Sequence, residues 1–133
     1  MRVDCRDYRD EEDFPGEFEL WQANVHRSLH GKRGQTELRE LEAALLALPV
    51  PRLIYGTLTD DDGGICAIAA YGRHKGVDLS TFDAEEDSVD VGIIGGMPRL
   101  VAWQIVELND SGRRETPEER YVRVLAWVRE QLR

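Results

Sequence analysis

Histidine and cysteine are scarce in this 133-residue chain, with three of the first and two of the second. Cys5 and Cys66 lie in settings too different to suggest a pair, so no disulfide framework is expected. Long apolar runs are missing as well. The longest, "ICAIAAY", is far too short to cross a bilayer, and "MRVDCRDYRDEEDF" lacks the apolar centre of a signal peptide. Also absent are internal repeats, coiled-coil heptads and an excess of basic charge. A formal net charge of −9 repels nucleic acid and anionic membrane and favours basic partners. These absences point to a soluble cytoplasmic protein of one domain, long enough to bury a real core.

What the chain does have is acidity in two blocks. Residues 1–19 carry three basic and eight acidic groups, and residues 60–90 carry two and nine. The remaining stretches are close to balanced: 20–59 hold five basic against three acidic groups, and 91–133 hold seven against six. Residues 1–16 read as an acidic, flexible segment ahead of a globular domain over 17–133.

Hydrophobic spacing then divides the domain. Phe18, Trp21, Val25 and Leu29 recur at helical intervals, predicting a helix over about 17–29 that Gly31 ends. Leu38, Leu41, Leu45 and Leu48 form the stripe of a second helix, stopped by Pro49 and Pro51. "RLIYGTLT" (52–59) has strand composition and "DDDGG" is a turn. Ile65 and Cys66 then pair back, which predicts a small β-hairpin near 52–66. Residues 66–75 read as a short helix, with cations and a glycine at its end, and a longer strand is the rival reading. A helical turn or two is expected near 84–91. "PRLVAWQIVELN" is apolar around most of its wheel, so 98–109 is expected to be the buried central helix. Thr116-Pro117-Glu118-Glu119 is a capping box that opens a last helix, with Tyr121, Leu125, Val128 and Leu132 as its core stripe and Val124 and Trp127 beside it. The fold class is therefore mainly α: four to five helices around 98–109, with one hairpin.

Candidate sites are few. "GKRGQT" places Lys32, Arg33 and Gly34 at a helix start, where unpaired amides and the helix dipole can hold an anion. It lacks a Walker loop's long cradle and its Gly-Lys-Ser/Thr ending, and a short helix–helix connection with solvated cations is the simpler explanation. His26 and His30 have the spacing of a shared metal, but Arg27 lies beside them and no third ligand is near in sequence. "DDDGG" lacks the alternating ligands of a calcium loop. Cys66, between Ile65 and Ala67, has no adjacent base or cation and reads as core. "SVDVGIIGGMPRLVAWQIV" has a helix-turn-helix shape, though its second helix offers few base-reading side chains and follows an acidic stretch. No cofactor and no metal is expected.

Five stretches carry a resemblance: "GKRGQTELRELEAALLALP", "RLI", "DGGICAIAA", "GMPRLVAWQIVELND" and "ETPEERYVRVLAWV". In these, covering most of 27–132, the chain resembles small proteins of tailed double-stranded DNA bacteriophages and prophages, especially those of actinobacteria. The resemblance implies a phage origin and the infected host's cytoplasm. It brings no catalytic residues with it.

These readings lead to one expectation about function: a small acidic accessory protein, non-enzymatic, that binds a host or phage protein with a basic surface. Asp83, Glu85, Glu86 and Asp87 would supply charge, and Trp127 the desolvated contact. The alternatives are a small-anion or nucleotide binder using Lys32, Arg33 and Gly34, or a DNA-binding regulator of the helix-turn-helix kind.

Overall fold

A computed structural model describes residues 15–112 and 114–133. The described chain holds six α-helices: α1 (Pro15–His30), α2 (Lys32–Leu46), α3 (Ala67–His74), α4 (Ser88–Gly95), α5 (Arg99–Asp110) and α6 (Pro117–Gln131). A single 3-10 turn, Leu79–Thr81, lies between α3 and α4. No described helix is long and apolar enough to cross a membrane. The proposed flexible segment 1–16 falls almost wholly outside the described residues, and its last two positions already belong to α1.

Only Gly31, in extended backbone, separates α1 from α2. The helices meet so closely at Gly34 that a Cβ there would lie 1.8 Å from the Ser28 carbonyl oxygen. Gln35 ties this corner to the far end of the chain. Its amide nitrogen donates to the carbonyls of Leu29 and Gln131, and its oxygen accepts from the Arg133 amide. The α2 stripe behaves as its spacing predicts, with Leu38, Leu41 and Leu45 fully buried and Leu48 partly so.

The expected central helix is not the central one. Ala67–Gly72 of α3 is buried residue for residue, and α3 packs against α2, α4 and α5. In α5 only Val101, Ala102, Ile105 and Asn109 are buried, while Trp103 and Glu107 face outward. Size explains the exchange. Ala67, Ala69, Ala70 and Gly72 let neighbouring helices approach closely while Ile68 and Tyr71 fill the space between them, whereas the Trp103 indole of α5 stays at the surface. Gly92 of α4, whose Cβ would meet the Ala102 Cβ at 2.8 Å, shows how tight that packing is.

Among the described residues there is no β-hairpin over 52–66. One isolated antiparallel bridge, Thr59 with Ile65, is all that forms. Three backbone bonds do cross between the arms, from the amides of Ile54, Asp60 and Cys66 to the carbonyls of Ile65, Gly64 and Leu58. Two other donors leave: Leu53 N–H goes to the Pro117 carbonyl at 3.1 Å, and Leu58 N–H to the Ala84 carbonyl at 2.9 Å. Gly56, at φ +83°, turns the strand-like run aside in its middle. The "DDDGG" turn does form, with Asp60 Oδ1 accepting from the amides of Asp62 and Gly64. Residues 67–74 are helical, which settles the helix-or-strand alternative. Asn109, at the end of α5, accepts from the first α3 amide at 3.0 Å and donates to the Ile54 carbonyl.

The α6 capping box is complete: Glu119 N–H donates to Thr116 Oγ1, and Thr116 N–H to Glu119 Oε1. Of the expected core stripe, Val128 is buried outright and the other three positions are not. Arg120, Val124 and Val128 are buried, while Tyr121, Leu125 and Leu132 are half-covered. Arg120 is only 1% exposed. Its guanidinium donates to the carbonyls of Leu53 and Gly112 and lies 4.7 Å from the centre of the Tyr55 ring. Those carbonyls sit in irregular segments that lack a ladder, which is why a cation is buried here.

Candidate functional site

The acidic block at 60–90 becomes one surface in three dimensions. Leu58 N–H donates to the Ala84 carbonyl at 2.9 Å, and the single hydroxyl proton of Thr57 is shared between the Thr59 and Ala84 carbonyls, at 3.2 and 3.3 Å. The Asp60–Asp62 turn is therefore stitched to the connector that carries Asp83, Glu85, Glu86 and Asp87. Not every carboxylate on this face is free to meet a partner. Asp83 Oδ1 accepts from the amides of Glu85 and Glu86, and Asp87 Oδ2 from the amide of Asp83. Asp60 does the same for its own turn. These three fold the loops. Asp61, Asp62, Glu85 and Glu86 are exposed and have no side-chain partner among the described residues.

Next to this face a groove of about 730 Å³ runs between the α3 end and α4. Val77, Phe82, Ile93 and Ile94 give it apolar walls, and Lys75, Asp78, Asp90 and Arg99 give it charge. Phe82 and Asp90, both in the lining, flank the acidic connector in sequence. Asp78 is engaged locally, capping the 3-10 turn through the Ser80 amide and hydroxyl.

Behind the groove is a polar cluster that sequence reading missed. Glu37, on α2, is buried and accepts from the Tyr71 hydroxyl at 2.6 Å and from Lys75 Nζ at 2.9 Å. The same hydroxyl lies 3.1 Å from the Gly95 carbonyl, so α2, α3 and α4 converge on one phenol. Burial pushes the Glu37 carboxyl upward. The hydrogen bonds from Tyr71 and Lys75, with the charges of Lys75 and Arg33, outweigh it and hold the group below the usual carboxylate range. Burial, then the Glu37 hydrogen bond and charge, push Tyr71 upward. Near neutral pH the pair is a carboxylate and a phenol, with no proton free to exchange between them. Glu37 lies one step off the leucine stripe. A single charge there reads as solvent-facing, and nothing local announces Tyr71 thirty-four positions on.

The residues of the anion-binding alternative have structural tasks. Arg33 Nε donates to the Gly96 carbonyl at 3.1 Å, and Gly34 is the point of contact with α1. Lys32 is exposed. Trp127 lies apart from the acidic face. With Trp21, His26, Gln104 and Gln131 it lines a smaller groove of about 230 Å³ between α1, α5 and α6. Trp21 meets Trp103 edge-on nearby, at 5.0 Å between ring centres. The expected pairing of Trp127 with the 83–87 carboxylates in one site is thus not among the described contacts. His26 and His30 pack ring against ring, and His30 Nδ1 accepts from Arg133. Burial, then Arg133 and His26, lower the His30 pKa. Among the described residues no three His, Cys, Asp or Glu side chains converge as a metal would require. Cys66 is fully buried at the start of α3, and burial pushes its thiol up to about 12. No protein-family model, curated protein or solved structure matches the chain.

Proposed function

We propose that the protein is a non-enzymatic binding module whose acidic face, where the 57–64 turn meets the 83–87 connector, docks a protein partner of basic surface. The observation that supports this most directly is the hydrogen bond from Leu58 N–H to the Ala84 carbonyl, with the Thr57 hydroxyl close by. It holds two acidic loops together against their mutual repulsion, and four of the carboxylates it gathers do no folding work among the described residues. A concentrated field of one sign speeds encounter with an oppositely charged surface and rejects wrong partners. The phage resemblance would make the partner a host or phage protein met in the host cytoplasm.

The groups with chemical potential fit this reading. Glu37 and Tyr71 are locked to each other, and Cys66 is a buried thiol whose charged neighbour, Asp110, opposes its ionisation. As for DNA recognition, α4 and α5 are joined by a short turn. The outward side chains of α5 are Arg99, Trp103 and Glu107, a poor set for reading base edges beside an acidic loop.

The test is a protein carrying Asp61→Asn, Asp62→Asn, Glu85→Gln and Glu86→Gln, which spares the turn-forming carboxylates. Immobilised wild-type protein should retain its partner from host extract at low salt and release it as salt rises. The neutralised variant should fail to retain it while melting at the same temperature or higher. Equal retention by both proteins at all salt concentrations would refute the reading.

A further inference from the structure

We propose that the groove between the α3 end and α4 receives a basic, amphipathic helix from the partner. This inference rests on the binding role argued above and names the element that docks.

Three observations meet at the groove. First, α4 is apolar on more than one side: Val91 and Gly92 are buried in the core, whereas Ile94 is 66% exposed. An isoleucine bared beside Ile93, Phe82 and Val77 forms a contiguous apolar strip of the kind that marks an interaction site. Second, the charge around this strip is acidic. Lys75 is neutralised by Glu37 at 2.9 Å, which leaves Arg99 as the remaining cation of the lining. Against it stand Asp78 and Asp90 in the lining, and Asp83, Glu85, Glu86 and Asp87 on the connector that joins Phe82 to α4. An apolar floor with an acidic margin complements a chain with apolar residues on one face and cations on the other.

Third, the backbone decides the form of that chain. Among the described residues no strand exists, so there is no sheet edge for an extended peptide to extend. A helix satisfies its own backbone and needs from its receptor only a groove for its side chains.

The probe is a synthetic leucine–lysine amphipathic helix, with two controls: a leucine–glutamate counterpart and a scrambled leucine–lysine peptide of identical composition. Binding is read by fluorescence anisotropy. The amphipathic basic peptide should bind, and both controls should bind at least roughly tenfold more weakly. Ile94→Ser, at a solvent-facing position, should leave the melting temperature unchanged and weaken binding roughly tenfold. Asp90→Asn with Glu86→Gln should weaken it and flatten its salt dependence, while Arg99→Ala should strengthen it. Equal binding of the scrambled peptide, or an Ile94→Ser protein with full affinity, would overturn the docking mode. In that case, loss of binding in the acidic-face variant would leave the wider reading standing. Full affinity in both variants would overturn the two together.

Discussion

Two side chains show how burial rather than sequence neighbours sets chemistry in this protein. Cys66 follows closely on an exposed Asp-Gly turn, yet it is enclosed by Leu58, Ile68 and the end of α5. Burial raises its pKa, so the reactive thiolate is almost unpopulated at neutral pH. In a Cys5→Ser background, maleimide labelling of native Cys66 should be slow and should accelerate with urea in step with unfolding. Fast labelling without denaturant would sink this account. Glu37 is the opposite case, a buried carboxyl held below its usual range. Its ionised form is stabilised by the fold, so the contribution is complete above the ordinary carboxylate range. It is lost as pH falls through the depressed folded value. Glu37→Gln should therefore cost about 1–3 kcal/mol at neutral pH, because it weakens the bonds to Tyr71 and Lys75. The gap to wild type should close as the solution is made acidic. Urea titrations across that range test the sign, and a gap that does not change with pH would exclude the ionic account.

At the scale of elements, Gly34 carries the sharpest prediction. In an ordinary helix interior, alanine is better than glycine by about 1 kcal/mol. Here the added carbon would collide with the Ser28 backbone, which no side-chain rotation relieves. Gly34→Ala should instead destabilise by about 1–3 kcal/mol. A stabilised Gly34→Ala protein would mean that α1 and α2 are not in backbone contact. This glycine also marks the boundary of what the sequence made legible. Helix existence followed from periodicity and caps: the α2 leucine stripe, the Thr116 box and the glycine ending α1 all express local energetics. Centrality did not follow. Hydrophobic coverage put α5 in the middle, but the fold puts α3 there, where four small residues admit close neighbours and Ile68 and Tyr71 fill the gaps between them. The hairpin failed for a related reason, because residues 53 and 58 found partners in α6 and the 84 loop that no local pattern reveals. The candidate site divides along the same line. The acidic residues were visible as composition. Which of them are spent on turns, the groove beside them, and the Glu37–Tyr71–Lys75 cluster and Arg120 all depend on long-range contacts.

At the scale of the whole molecule, the question is what the clustered charge costs. With a net charge of −9 and two acidic loops stitched at Ala84, the folded state brings carboxylates closer than the unfolded chain does. The resulting repulsion acts over about 30 Å at 0.01 M ionic strength and about 8 Å at physiological strength. Melting temperature should therefore rise as sodium chloride is added from low concentration. The variant neutralised at residues 61, 62, 85 and 86 should start higher at low salt and respond less. If calorimetry finds wild type and variant equally insensitive to salt, the loops do not repel and their closeness needs no functional reason. If the expected difference appears, the fold is holding together charges that it would be more stable without. Solubility alone does not require that arrangement, since dispersed carboxylates provide it at lower electrostatic cost. The proposed basic partner would account for it, because a concentrated field both draws such a partner in and is relieved by its arrival.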